Sequence, residues 1–455
     1  MILFSTRVLG AERSERASLA ESMKAPPARA SKVAPSMVAV ATAGARELVA
    51  TWSALDAGLA AGGSLWRQEP FRRVMAHRSD SMDDLEQALA EGADIRTTVP
   101  GLDSLLQAVE AFEPRWTPRS QQRLPAHLAA GVPGRKWAQA QAFADVLSGV
   151  QDATSGPVVD WCSGKGHLAR VLCHRGCCSS AHCLELDQAL CAKGASLSTK
   201  LPIDFWPVDV LGTDPLPPRL RGPAYAHTAL HACGDLHRCA LMAACRERAR
   251  RIAVVPCCYH KLGPEEFLPL SRRVAAQSAL LPIRTAELQL ATAQTVTASS
   301  REVAARAREQ RWRLAIDAWQ REERSTDEYL SAPSAPERLL QSDAGFAEFC
   351  EFFGTAPGRS AADRGALAGA LRRMVADTTA SRHFLELGEA ARRRVRRLET
   401  VRRHYSRPLE LWLCADMLLY LSDEGKYEVE LRRLCEPAVT PRNLMVLARH
   451  REGVA

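Results

Sequence analysis

The chain has 455 residues, a formal net charge of +8, a hydrophobic fraction of 46% and a charged fraction of 25%. Such a length suggests about three units of ordinary size with a large core, and the composition is that of a globular protein, not a disordered or fibrous one. No apolar run approaches the length of a membrane span, so no membrane partner is expected; the mild basicity is compatible with a nucleic-acid partner without requiring one.

Residues 1–37 read as a flexible N-terminus, with an Ala/Pro/Ser/Arg stretch at Lys24–Pro35. Acids at Glu12, Glu15 and Glu21 argue against a transit peptide, and translation from Met23 or Met37 would suit the composition equally well. Residues 38–130 form a helical N-terminal region. Leu85, Leu89 and Ile95 mark one amphipathic segment, and Leu102, Leu105, Leu106 and Val109 mark another. Pro133–Trp137 then opens a helix with Ala138, Ala142, Phe143, Val146 and Leu147 on its apolar face. Arg135 and Lys136 in its first turn are either a solvated helix end or within reach of a cofactor carboxylate.

Val158–Arg170 reads as a strand, a glycine turn and a helix start. Gly164 and Gly166 let the backbone turn sharply, and the helix behind them offers free N–H groups and a positive dipole end to a ligand. Gly164-Lys-Gly-His-Leu-Ala169 satisfies the dinucleotide fingerprint G-x-G-x-x-G/A, with acids at Glu185 and Asp187 about 20 residues on. It equally satisfies the Asp-x-x-x-Gly-x-Gly turn of S-adenosylmethionine (SAM) methyltransferases. Asp160, at the strand end, would repel a pyrophosphate and attract an ammonium, which favours SAM; a βα turn with no ligand is the third reading.

Strands and helices alternate from here, which indicates a parallel sheet. Ala181–Leu186 runs into Asp187, Ile203–Val210 contains Asp209, Tyr225–Leu230 leads into His231–Leu236, and Ile252–Val255 leads into Pro256–Leu262. Every polar cluster lies beyond a strand's carboxyl end, where ligands sit in open parallel sheets. Of the fourteen cysteines, nine fall between Cys162 and Cys245, and Cys257-Cys258 follow. Adjacent cysteines are poor disulfide partners and no secretory signal precedes them. Reduced thiols, no disulfide-linked partner and a cytoplasmic location are therefore expected.

Residues 263–407 form a basic, mostly helical insertion. Glu302–Arg324 is a long helix, and Phe346, Phe349, Phe352 and Phe353 make an aromatic packing face. Arg392–Arg407 is dense in arginine, either a solvated helix face or a strip able to bind RNA phosphates. In residues 408–455, an apolar helix at Leu409–Leu421 precedes strand patterns at Tyr427–Leu434 and Asn443–Ala448. These would complete the sheet that residues 131–262 begin.

Asp160–Leu168, His231–His237 and Pro256–Lys261, taken together and in order, resemble one class I methyltransferase family. Its members include bacterial proteins of unassigned substrate and the eukaryotic methyltransferase-like-25 proteins. The methyltransferase domain of the glutathione-S-transferase C-terminal-domain-containing protein and, more distantly, tRNA 2′-O-ribose methyltransferases are also similar. Leu409–Leu421 and Thr440-Pro-Arg-Asn443 resemble the family's ending. The resemblance covers roughly 132–262 and 408–448. It implies an α/β class I (Rossmann-like) methyltransferase sheet with a helical N-terminal region and a helical insertion before the last strands.

It also implies SAM as cofactor and roles for particular residues. Asp160 would meet the methionine amino group, Gly164 and Gly166 would close the turn over the cofactor, Asp187 (with Glu185 second) would hold the ribose hydroxyls, and Asp209 would lie near the adenine. Cys162 stands where many methyltransferases have glycine, beside the cofactor. Lys136 and His231 complete the expected cofactor contacts. Asp235, Tyr259 and His260 are the catalytic candidates, although Asp235 could instead cap a helix and Tyr259 could be structural. The His/Cys types around Cys233 and Cys257-Cys258 are zinc-capable, but there is no C-x-x-C pair and no metal is implied. An RNA methyltransferase is the expectation, with protein or small-molecule methylation, or a scaffold without transfer, as alternatives.

Overall fold

The computed structural model describes residues 45–75, 82–116, 124–129, 131–149, 156–213, 216–277, 281–293, 298–325, 333–342, 345–357, 361–423 and 426–451. All belong to one compact unit, Val40–Ala455. The expectations for residues 1–37 fall outside the described residues.

Seven strands make one sheet: β1 (Val158–Trp161), β2 (Ala181–Glu185), β3 (Ile203–Pro207), β4 (Ala226–Cys233), β5 (Arg251–Cys257), β6 (Tyr427–Arg433) and β7 (Leu444–His450). The order is β3-β2-β1-β4-β5-β7-β6. The first five strands pair in parallel, while β7 runs antiparallel to both β5 and β6. The chain thus leaves the sheet after β5 and returns some 170 residues later, ~1.5 times the length of an ordinary domain. This is the α/β class I methyltransferase fold, with helices before the sheet and between β5 and β6.

The larger helices are α1 (Ala45–Ala61), α2 (Met82–Ala90), α3 (Leu102–Phe112), α4 (Gly134–Ser148), α5 (His167–His174), α6 (Gln188–Leu197), α7 (Asp235–Arg246), α8 (Ser300–Arg324), α9 (Phe346–Gly354), α10 (Ala361–Ala376), α11 (Thr378–Arg403) and α12 (Ser406–Asp423). Ile95 does not extend α2. Gly92, at φ 91°, breaks the chain, and Asp94 accepts from the Arg96 N–H to cap a separate turn.

Helix α12 is apolar on almost every side because it is buried on almost every side. It packs on α1, where the Trp52 and Trp412 rings lie 5.7 Å apart and Trp412 Nε1 donates to Asp56 Oδ1 at 2.9 Å. Its buried Asp416 accepts from the Leu270 and Ser271 N–H groups at 2.8 and 2.9 Å. The segment after β5 is thereby tied to the helix that feeds β6. Helices α8–α11 share a separate core of Trp312, Phe346, Phe349 and Phe353.

Candidate functional site

β1 pairs with β2 on one side and β4 on the other, so the strand order reverses at β1. In open α/β sheets that reversal makes the ligand crevice, beyond the strands' carboxyl ends. The turn from β1 to α5 lies at its mouth. Cys162, Gly164 and Gly166 all have positive φ, at 55°, 57° and 67°. A Cβ on Gly166 would stand 2.7 Å from Phe205 Cζ, whereas a Cβ on Gly164 would meet nothing within 4 Å. One glycine is required by packing beneath the turn, and the other leaves the space above it open.

Glu185, the last residue of β2, accepts from the Gly164 N–H at 2.8 Å and from the Asp187 N–H at 3.1 Å. Its carboxylate therefore occupies the turn N–H that a phosphate would seek. Asp187 is the N-cap of α6, accepting from the Ala189 and Leu190 N–H groups through Oδ1. β2 stops at Glu185, so Asp187 lies beyond the strand and one of its oxygens serves the helix start. β3 likewise ends before Asp209, which is exposed and accepts from the Leu211 N–H at 2.9 Å.

Asp160 is 1% exposed, within β1 and not at its end. It does not end the strand as the sequence suggests it does, because β1 continues through Trp161, whose indole donates to His227 Nδ1 at 3.1 Å. Asp160 Oδ1 accepts from the Thr228 hydroxyl, and Oδ2 is buried with no hydrogen-bond partner. Burial pushes the carboxyl up to about 7, against the lowering effect of the Thr228 and Ala169 hydrogen bonds. Burial, with Glu185 and Asp160 nearby, also pushes the Cys162 thiol up to about 12, so it stays a neutral wall of the turn.

β4 extends three residues further than its hydrophobic pattern. It contains a bulge at His231, whose φ is 62°. His231 Nε2 donates to Gln139 Oε1 at 2.9 Å. Burial and the charges of Arg442 and Lys136 lower its imidazole to about 4, so the ring is neutral. His167, in the first turn of α5, is likewise lowered to about 4, first by burial and then by Arg170, Lys165 and Lys136; Lys136 itself is exposed in the first turn of α4.

The β4–α7 turn packs on the segment after β5. A Cβ on Gly234 would come within 2.3 Å of the Lys261 carbonyl oxygen, and Asp235 Oδ2 accepts from the Gly263 N–H at 2.7 Å. Asp235 opens α7 next to its N-cap Gly234, so its carboxylate straps two loops together instead of capping the helix.

Residues 135–265 match the family model described as a methyltransferase domain. That match supports methyltransferase activity and spans every site residue just described. Among solved structures, the YcgJ protein of Bacillus subtilis is similar at 13% identity and a TM-score of 0.21, over 25% of this chain and 49% of that one. This chain thus spans about half the length of that protein. No curated protein matches it.

Within the matched region, Cys162, Gly164 and Gly166 form the turn at the crevice mouth, with Asp160 buried in β1, His231 in the β4 bulge and Asp209 past the end of β3. Tyr259 does not reach that mouth. The ring is fully buried, edge-on to His237 at 5.7 Å, and its hydroxyl lies 3.8 Å from Cys414 Sγ. The one-turn helix Tyr259–Lys261 turns this side chain into the core, so it cannot stack on a substrate. Tyr259→Phe should change stability by less than about 1 kcal/mol and leave turnover intact, because only one weak O–H···S contact is lost. A loss of turnover beyond tenfold at unchanged melting temperature would restore Tyr259 to the site.

His260 is half-buried, with Nδ1 lacking a partner. Burial, Lys261 and Arg442 lower its imidazole.

Four residues escaped the sequence reading. Gln139 orients His231. Arg442, in the β6–β7 loop, depresses both His231 and His260, and the only sequence signal for it was the Thr440–Asn443 resemblance. Leu186 and Leu211 are 66% and 55% exposed, the first directly after β2 and the second four residues past the end of β3.

The arginine strip is mostly internal. Arg392 pairs with Glu389, Arg394 and Arg397 with Glu86 of α2, and Arg407 with Glu113 and the buried Glu410, while Arg402 Nε donates to the Trp66 carbonyl. Arg433 joins the same Glu113. These contacts join α11 and α12 to the N-terminal helices. Arg393, Arg396 and Arg403 are the exposed members, at successive spacings of three and seven residues and hence close to one helix face.

Proposed function

We propose that the protein transfers a methyl group from SAM, and that its acceptor is RNA. The observation that carries the cofactor reading is Glu185 on the Gly164 N–H: a carboxylate at the heart of the glycine turn repels a pyrophosphate and suits a sugar diol. The open space over Gly164 and the orphan Oδ2 of Asp160 fit the same cofactor. Asp160 would act on the methionine ammonium through a water, Lys136 on the carboxylate, Glu185 on the ribose hydroxyls, and Leu186 with Leu211 on the adenine faces.

Bound SAM supplies an electrophilic methyl, and in-line displacement then depends chiefly on positioning. Neutral His260 would take the proton of a hydroxyl or amine nucleophile, and Asp235 would keep the loop that carries it in place. The RNA reading rests on the net charge of +8, on the positive charges of Lys136 and Arg442 that act on His231 and on the exposed arginines of α11. The distant similarity of the motifs to tRNA-modifying enzymes agrees with it.

The cofactor test is calorimetric titration of the full chain with S-adenosylhomocysteine, with NADH in parallel. Binding of S-adenosylhomocysteine alone is expected, and binding of NADH alone would overturn the reading. The RNA test uses radiolabelled methyl transfer to RNA and protein fractions. Reversing Arg393, Arg396 and Arg403 together should weaken RNA binding and flatten its salt dependence by up to about three phosphate contacts. An unchanged slope would remove RNA contact from this face. Reversing Arg394 or Arg397 should instead loosen the fold, since each would leave a like charge against Glu86.

A further inference from the structure

Three thiols converge at the carboxyl ends of β4 and β5. The sulfurs of Cys233, Cys257 and Cys258 all lie within 4.8 Å of one another, and among the described residues no fourth His, Cys or acid joins them. Cys233 and Cys257 are register partners on the two strands, with their sulfurs 3.2 Å apart.

Cys258 requires a separate reason to be there. Successive residues of a strand point to opposite faces, so Cys257 and Cys258 in extended chain would direct their sulfurs apart. Instead Cys258 leaves the strand in the left-handed region, at φ 50°, which for a residue with a Cβ costs about 1–2 kcal/mol. That turn brings the third sulfur to the other two. A second non-glycine residue with positive φ, His231, makes the bulge two residues before Cys233. Backbone strain therefore flanks the cluster on both strands.

We propose that Cys233, Cys257 and Cys258 form a zinc(II) site with three thiolate ligands and a fourth position open to an exchangeable ligand. Soft thiolates select zinc over the hard divalent cations, and three protein ligands with one open position is the pattern of reactive zinc sites. At Zn–S distances near 2.3 Å a tetrahedral site separates its sulfurs by about 3.8 Å, within the spread of the three sulfurs after a small opening of the Cys233–Cys257 pair.

Three thiolates and one zinc carry a net charge of −1, and two cations stand by to balance it. Arg442 Nη1 donates toward Cys258 Sγ at 3.9 Å, and the Lys261 charge acts on Cys233. The thiol protons pass to solvent as the metal binds. The site stands whether or not SAM is the cofactor, and its test does not use methyl transfer.

The full chain is purified without chelator or affinity metal and its zinc measured by mass spectrometry. After stripping, cobalt(II) is added under reductant and the thiolate-to-cobalt absorption recorded. About one zinc per chain and a cobalt–thiolate band of matching stoichiometry are expected. Both should be lost in Cys233→Ser and in Cys258→Ser, and kept in Cys173→Ser, which removes one member of the other close thiol pair, Cys173–Cys178. Circular dichroism checks that each serine variant folds. Because Cys258 is only half-buried, that variant keeps the test decisive if Cys233→Ser does not fold. Zinc retained at full stoichiometry in a folded Cys258→Ser, no cobalt band in the wild type, or a Cys233–Cys257 disulfide in protein kept reduced would each overturn the proposal.

Discussion

Gly164→Asp is expected to fold and to lose S-adenosylhomocysteine binding by at least about 100-fold, roughly 3 kcal/mol. The two glycines of the turn separate these outcomes. At Gly164 φ is 57° and a Cβ meets nothing within 4 Å. Aspartate tolerates the left-handed region better than most residues, so the fold should lose no more than about 1 kcal/mol. The new carboxylate stands in the space proposed for the cofactor, next to Glu185, which already holds the Gly164 N–H.

Gly166→Ala is the counterpart. Its Cβ would press on Phe205 at 2.7 Å in a backbone conformation that alanine disfavours. Overpacking and strain together should destabilise the protein by about 2–4 kcal/mol. Thermal unfolding and calorimetric titration of both variants measure the contrast. Normal affinity in a folded Gly164→Asp would refute the site.

Asp160→Asn should move stability and binding in opposite directions. Burial holds the Asp160 carboxyl at about 7, above its ordinary value of 3.8. A raised acid favours the folded state while protonated, so this contribution is complete below pH ~4 and lost as pH rises to about 7. Above that, the ligand-free protein contains a buried carboxylate, a penalty on the order of 4 kcal/mol. Asparagine removes the penalty, so the variant should be more stable than the wild type at pH 8, by less at pH 5, and similar to it only below pH ~4.

A bound ammonium needs the ionised carboxylate. Wild-type affinity for S-adenosylhomocysteine should therefore fall by up to about tenfold per pH unit below 7, with uptake of the ligand releasing up to about one proton. Asp160→Asn should bind weakly at every pH, without that slope. Calorimetry in buffers of different ionisation enthalpy reads the proton directly, and an unchanged slope in the variant would assign the titration to another group.

The strand–turn–helix at Val158–Arg170, the parallel order of the first five strands and the return of the chain for β6 and β7 were all legible in the amino acids alone. Each depends on local signals: β-branched runs, glycines at a sharp turn, and an apolar helix before a strand pair. Side-chain assignments depended on where a strand stops, and sequence patterns locate such ends only to within a few residues. Two residues separate Glu185, in the turn, from Asp187, on a helix cap. One residue places Asp160 inside β1 instead of at its tip.

Other properties had no local signal at all. The arginines of α11 and Arg407 read as a continuous basic strip until Glu86 and Glu113, about 300 residues distant in the chain, were brought against Arg394, Arg397 and Arg407. Likewise, residue types alone made Cys233, Cys257 and Cys258 metal-capable, whereas the pairing of β4 with β5 and the left-handed turn at Cys258 brought their sulfurs together. The sequence by itself determined the sheet and the turn that faces a ligand, because periodicity and backbone freedom are properties of neighbouring residues. Which charges are paired, which acid meets the turn and which thiols converge were decided by the tertiary structure, because those are distances between segments far apart in the chain.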